Sequence, residues 1–123
     1  MHILYKITYL PHIGTKYPKY YVGSKYNYKG NYYGSVSSKK EFEYTGGLSL
    51  RNWWNKKIKE ERDCFKFEII ETFNEEITPN ELAEKESKFQ IEHGCIGDDY
   101  FNQCFACGNF VSSKNDYETK KLK

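Results

Sequence analysis

The first forty residues contain no aspartate or glutamate. Seven lysines (Lys6, Lys16, Lys19, Lys25, Lys29, Lys39 and Lys40) stand there unopposed, and acidic residues begin only at Glu41. The net charge is just +2, which excludes a polycation. The asymmetry instead predicts a positive field over the N-terminal half, with a solvated lysine-rich surface as the plainer alternative. No run approaches the roughly 18 apolar residues that a membrane-spanning helix needs. Met1 leads straight into a strand pattern, without a charged-then-apolar leader. The expectation is a cytoplasmic protein with no membrane partner. Its four cysteines then read as free thiols or metal ligands rather than disulfides. Arginine is also scarce, and none precedes Arg51.

What is present fits one folded domain. A chain of 123 residues is long enough for a single core, and 38% hydrophobic with 29% charged residues is a globular composition. Tyrosine is abundant, with 12 copies. It fills cores while keeping a polar handle, and it also contacts phosphates and bases. Packing accounts for most of these rings.

Ile3, Tyr5, Ile7 and Tyr9 alternate with Leu4, Lys6, Thr8 and Leu10, which predicts a strand over 3–10. Pro11 ends it, because proline cannot donate to a ladder. The pattern resumes over 19–24, so an antiparallel pair joined by the loop 11–18 is the simplest closure. Residues 24–35, rich in Gly, Asn and Tyr, read as a surface loop. Ser35, Ser37 or Ser38 is then a candidate cap for a short helix reaching about Tyr44, ended by Gly46-Gly47. Ser49 caps a second helix to about Arg62, with Leu50, Trp53, Trp54 and Ile58 on its core face. Phe65, Phe67 and Ile69 predict a strand ending near Phe73. Thr78-Pro79-Asn80-Glu81 joins a Thr cap, a proline at the first helical position and a glutamate completing a capping box. That helix should reach about His93, with Gly94 as its stop.

One residue breaks the pattern of this last helix. At about 100° per residue, Leu82, Ala83, Phe89, Gln90 and His93 form one stripe, and Glu86 falls near its middle. A carboxylate aimed at a core costs several kcal/mol unless it is paired or bound to a cation. A basic side chain, hydroxyl donors such as tyrosines, or a divalent metal must meet Glu86, unless it lies at the solvated edge of the stripe.

Taken together, these residues resemble the GIY-YIG nuclease family. Ile3-Leu4-Tyr5 stands where the family has Gly-Ile-Tyr, keeping the tyrosine without the glycine. Tyr21-Val22-Gly23 matches the second motif, Glu86 the metal-binding glutamate of the late helix, and Asn102 the closing asparagine. Tyr32-Tyr33-Gly34-Ser35 is similar to the Tyr-Gly-Ser of some phage-borne members, so the chain looks like a phage or mobile-element protein acting in a host cytoplasm. The resemblance spans roughly residues 2–103. It implies an α+β fold, a small antiparallel three-stranded sheet flanked by helices, in a nuclease domain over 1–107, with 108–123 as a basic, flexible tail.

The implied activity is metal-dependent hydrolysis of DNA phosphodiester bonds. Of Tyr5 and Tyr21, one would help to activate the attacking water and the other would orient it or touch the phosphate, a neighbouring cation lowering the tyrosine pKa. Glu86 would hold Mg²⁺ or Mn²⁺, and Asn102 would brace the site. The family's phosphate-gripping arginine has no counterpart before Arg51, which leaves Arg51 or Lys40 for that role, and a lysine lacks the bidentate fork. DNA contacts are expected from Lys25, Lys29 and Tyr33, with a homodimer as the arrangement for cutting both strands. The expected geometry puts Tyr5 and Tyr21 towards Glu86 across one shallow basic cleft.

Other readings remain open. His93, Cys95, Cys104 and Cys107 could form a zinc set, but the short spacing and the position beside Asn102 speak against structural zinc. The same scaffold could bind DNA without cutting it. The Trp53-Trp54 helix could instead present a protein-binding face.

Overall fold

The computed structural model describes residues 1–103. Cys104, Cys107 and the tail expected over 108–123 lie outside them. The fold is α+β, a three-stranded antiparallel sheet with two α-helices. Strands β1 (His2–Tyr9), β2 (Tyr20–Lys25) and β3 (Phe65–Phe73) are arranged in the order β2-β1-β3. Helix α1 (Leu50–Glu60) lies between β2 and β3 in the chain, and α2 (Pro79–Glu92) follows β3.

Because β1 is central, its alternation separates two covered faces rather than inside from outside. Ile3, Tyr5, Ile7 and Tyr9 meet Trp53 and Trp54 of α1, together with Phe65 and Phe101. Leu4 packs on the other face with Val22 and Cys95, and Phe73, Phe89 and Tyr100 close that smaller cluster. Both indoles are therefore core, which removes the basis for a tryptophan docking face. The strand stops at Tyr9, because Leu10, Pro11 and His12 turn into a short 3₁₀ segment.

The helices follow their local signals. The Ser49 hydroxyl accepts from the Asn52 amide, and α1 ends at Glu60, two residues before Arg62, where the Glu61 amide donates to Lys57. In α2 the capping box is reciprocal: Thr78 accepts from the Glu81 amide at 3.1 Å and Glu81 accepts from the Thr78 amide at 3.0 Å. Gly94, at φ +62°, turns the chain just past the helix end. His93 departs from the expected stripe. It is the capping residue, outside helical geometry, and its exposed ring stacks on Phe89 with Nδ1 at 3.0 Å from the Phe89 carbonyl.

The helix expected from Ser35, Ser37 or Ser38 to Tyr44 does not form. Only Glu43–Thr45 makes a single 3₁₀ turn, ended by Gly46 at φ +60°. The reason lies in α1, whose first amides need acceptors. Leu50 donates to the Lys40 carbonyl at 2.7 Å and Arg51 to the Ser38 carbonyl at 2.9 Å, which holds residues 38–40 extended. The intervening sequence has no apolar period to drive a helix, and Val36 is its one buried residue over 31–40.

His12 occupies an aromatic box. Its ring lies nearly parallel to Trp53 and Phe101, centroids 5.8 and 5.9 Å away, with Tyr9 and Tyr44 edge-on. Nδ1 is 2.7 Å from the Pro18 carbonyl, so the neutral ring donates there. Burial, chiefly, holds the His12 pKa below its usual 6.5. The unfolded chain therefore binds this proton more readily, and stability present above pH 6.5 is lost as pH falls towards the lowered native value. Equilibrium urea unfolding should show wild type losing stability on acidification below that pH, with a flatter profile for His12→Gln. Equal slopes would assign the loss to other groups.

Candidate functional site

The outer edge of β2 is where the motif residues converge. Among the described residues no strand covers it, and only Tyr20 makes a parallel bridge there, to Tyr100. The Asn102 side-chain amide pairs with Val22 instead, accepting from the Val22 amide at 3.0 Å and donating to its carbonyl at 2.7 Å. Gln90 of α2 adds a second donor to the same carbonyl at 3.1 Å. Beside this edge lies a cavity of about 190 Å³ lined by Tyr21, Ser35, Glu86, Gln90 and Asn102, among others.

Tyr21 reaches the cavity from the α1 side of the sheet. It stands opposite Ile7 on β1, as Gly23 stands opposite Tyr5, so Tyr5 and Tyr21 share a face, with ring centroids 6.2 Å apart. The Tyr5 ring leans across Gly23. A Cβ at Gly23 would sit 2.7 Å from Tyr5 Cζ and closer still to its hydroxyl, which explains the glycine of Tyr21-Val22-Gly23. Tyr5 is only 1% exposed, stacked on Phe67 at 5.1 Å, and does not line the cavity. Burial, then the neighbouring Tyr21, Tyr32 and Glu86, drives its hydroxyl far above the ordinary tyrosine range. In this surrounding Tyr5 is held as a neutral hydroxyl.

Glu86 comes from α2. Of the partners that its position demanded, hydroxyl and amide donors meet it. Ser24 Oγ donates to Oε1, and Gln90 Nε2 donates to Oε2 at 3.0 Å. Among the described residues no Lys, Arg or His forms an ion pair with it. Burial raises its pKa, and the Ser24 and Gln90 hydrogen bonds only partly offset that. The two carboxylate oxygens offer about four lone-pair sites, so the Ser24 hydroxyl and amide and the Gln90 amide together leave capacity for a further ligand. Among the described residues no group of three His, Cys, Asp or Glu could cage a metal. A lone carboxylate fits a hard ion that keeps most of its waters, as Mg²⁺ does.

Among the described residues the basic side chains stand elsewhere, and none of them lines the cleft. Glu86 is the one charged side chain among the described residues lining the cavity. Lys40 and Arg51 are exposed and join the site only through backbone bonds at the α1 N-terminus. Lys25 and Lys29 border a second hollow with Tyr26 and Tyr32, and Lys25 Nζ lies 4.8 Å from the Tyr32 ring centre. Tyr33 turns to Phe67 and carries the Arg62 guanidinium 5.2 Å above its ring. The charge asymmetry of the sequence is partly cancelled in space, since Lys16 pairs with Glu43 at 3.3 Å and Lys19 with Asp99 at 3.0 Å. Cys95 is a buried free thiol against Leu4 and Val22, while its prospective zinc partners Cys104 and Cys107 lie outside the described residues.

Ser24 is missed from the sequence, and Tyr32 and Ser35 are singled out there only for a family-like segment and, for Ser35, as a cap candidate. Gln90 had a signal, four residues after Glu86 on one helix face. Gly23→Ala should cost about 1–3 kcal/mol in urea unfolding, the usual scale for overpacking a rigid core. Wild-type stability in that variant would mean that Tyr5 moves aside at no cost. Compared with known proteins, the chain matches no family model, no curated protein and no solved structure.

Proposed function

We propose that the protein is a divalent-metal-dependent DNA endonuclease of GIY-YIG character. One observation carries this reading: Glu86, withdrawn from water without a cationic partner among the described residues, shares a cavity with Tyr21 and Asn102. An uncompensated carboxylate is costly to keep inside a fold, which is typical of a functional residue.

In this reading Glu86 holds Mg²⁺ or Mn²⁺, and the ion supplies Lewis-acid stabilisation of charge on the phosphate and on the departing 3′ oxygen. Ser24 and Gln90 fix the carboxylate by hydrogen bonds to both oxygens. Tyr21 orients the attacking water from the opposite wall. Tyr5 supports Tyr21 from behind as a neutral hydroxyl rather than as a base. Asn102 holds the β2 edge, and with it Tyr21, in register. Lys25, Lys29 and the exposed Lys40 and Arg51 supply phosphate contacts outside the cavity, which position DNA without reading sequence. One such cavity nicks one strand, and a homodimer would cut both.

The lack of a Lys or Arg lining the cavity among the described residues favours a second reading, a DNA-binding domain that does not cut. Supercoiled plasmid incubated with Mg²⁺ or Mn²⁺ separates the two. Nicked or linear product should form with wild type, fall by about a hundredfold or more with Glu86→Gln, and fall at least about tenfold with Tyr21→Phe. Binding without conversion would establish the second reading.

The same Glu86→Gln variant should be more stable than wild type at pH 7 by about 1 kcal/mol. A carboxyl whose native pKa is raised costs nothing below its unfolded value, and the cost appears as pH rises through the native one. The gap between the two proteins should therefore open with rising pH in thermal or urea unfolding. A gap that closes instead would mean that the ionised carboxylate is well compensated.

A further inference from the structure

Tyr5 presents a difficulty for the proposed chemistry, since a hydroxyl sealed beneath other rings touches neither water nor phosphate. The loop after β2 offers a connection. Tyr32 lies edge-on over Tyr5, ring centroids 5.7 Å apart. The Tyr32 hydroxyl bonds Ser35 Oγ. The Ser35 carbonyl in turn accepts from the Tyr21 hydroxyl at 3.4 Å. Tyr32, Ser35 and Tyr21 thus form one hydrogen-bonded series that starts against the Tyr5 ring and ends on a residue lining the Glu86 cavity.

The loop is held so that Ser35 can serve both tyrosines. Upstream, the Tyr33 carbonyl accepts from Trp54 Nε1 at 2.9 Å. Downstream, the Ser38 and Lys40 carbonyls accept the first amides of α1. Gly34 between them sits at φ +86°, where a Cβ would also come within 3.2 Å of the Tyr21 ring. Helix α1 therefore sets the place of Ser35 from both sides.

Resting on the nuclease reading, we propose that Tyr32 and Ser35 are positioning residues for hydrolysis, fixing the Tyr21 hydroxyl relative to Glu86 and the Tyr5 ring behind it. Ser35 does so with two different groups, its hydroxyl towards Tyr32 and its carbonyl towards Tyr21. A Tyr21 hydroxyl that donates to Ser35 presents its oxygen to a water as an acceptor, the polarity needed to orient a nucleophile.

Steady-state nicking of duplex DNA in Mg²⁺ tests this, with circular dichroism melts as the control for folding. Tyr32→Phe and Ser35→Ala should each lower kcat about tenfold at unchanged KM, whereas Tyr28→Phe, a ring stacked on Phe67 nearby, leaves both constants alone. The double variant should be no slower than the slower single one, because both act through one series. Ser35→Thr, which keeps the hydroxyl, should restore kcat. Should Tyr32→Phe fail to fold, the exposed Ser35 supplies the decision through its Ala and Thr variants. Wild-type kcat in the variants, a change confined to KM, or no rescue by Thr would overturn the inference while leaving the nuclease reading intact. A wild-type protein that cuts nothing would overturn both.

Discussion

The site depends on a side chain standing in for a strand. The edge of β2 has unpaired backbone groups that must be satisfied if they are to be covered. Asn102 satisfies both groups of Val22 with one amide, imitating the two-way exchange of a neighbouring strand. Gln90 uses the second lone pair of the Val22 carbonyl and reaches Glu86 with the same nitrogen. Segments far apart in the chain are thereby tied to one residue, Val22, and the cavity opens beside the knot.

Electrostatics then separates the two walls. On the α2 side a half-buried carboxylate has, among the described residues, only neutral donors around it. On the α1 side Tyr5 is held neutral beneath aromatic rings. Positive charge stands outside, on exposed Lys29, Lys40 and Arg51. This arrangement leaves Glu86 as the place where a cation would relieve the greatest local cost.

How much the sequence disclosed follows the range of the interactions involved. Both helix starts were legible because their caps are local, Ser49 to Asn52 and Thr78 to Glu81. The paired tyrosines and the misplaced Glu86 were legible because strand and helix periods place side chains on faces. The loop 35–40 was not, because its conformation answers to the amides of a helix that comes later in the chain. Nor was the partner of Glu86, since Ser24 lies 62 residues away. The lysine-rich start promised a basic cleft, yet Lys19 is cancelled by Asp99, 80 residues on. Composition along the chain records where charges are made, not where they end up.

The contact between Tyr5 and Gly23 has a consequence for how such a site changes over time. The ring occupies the volume that a side chain at 23 would need, so the two positions share one allotment of space. Phenylalanine at 5 would not release it, because the ring carbon Cζ alone already lies too near. A larger residue at 23 becomes admissible only after a smaller one at 5. Divergent sequences on this scaffold should therefore change the two positions jointly or leave both alone.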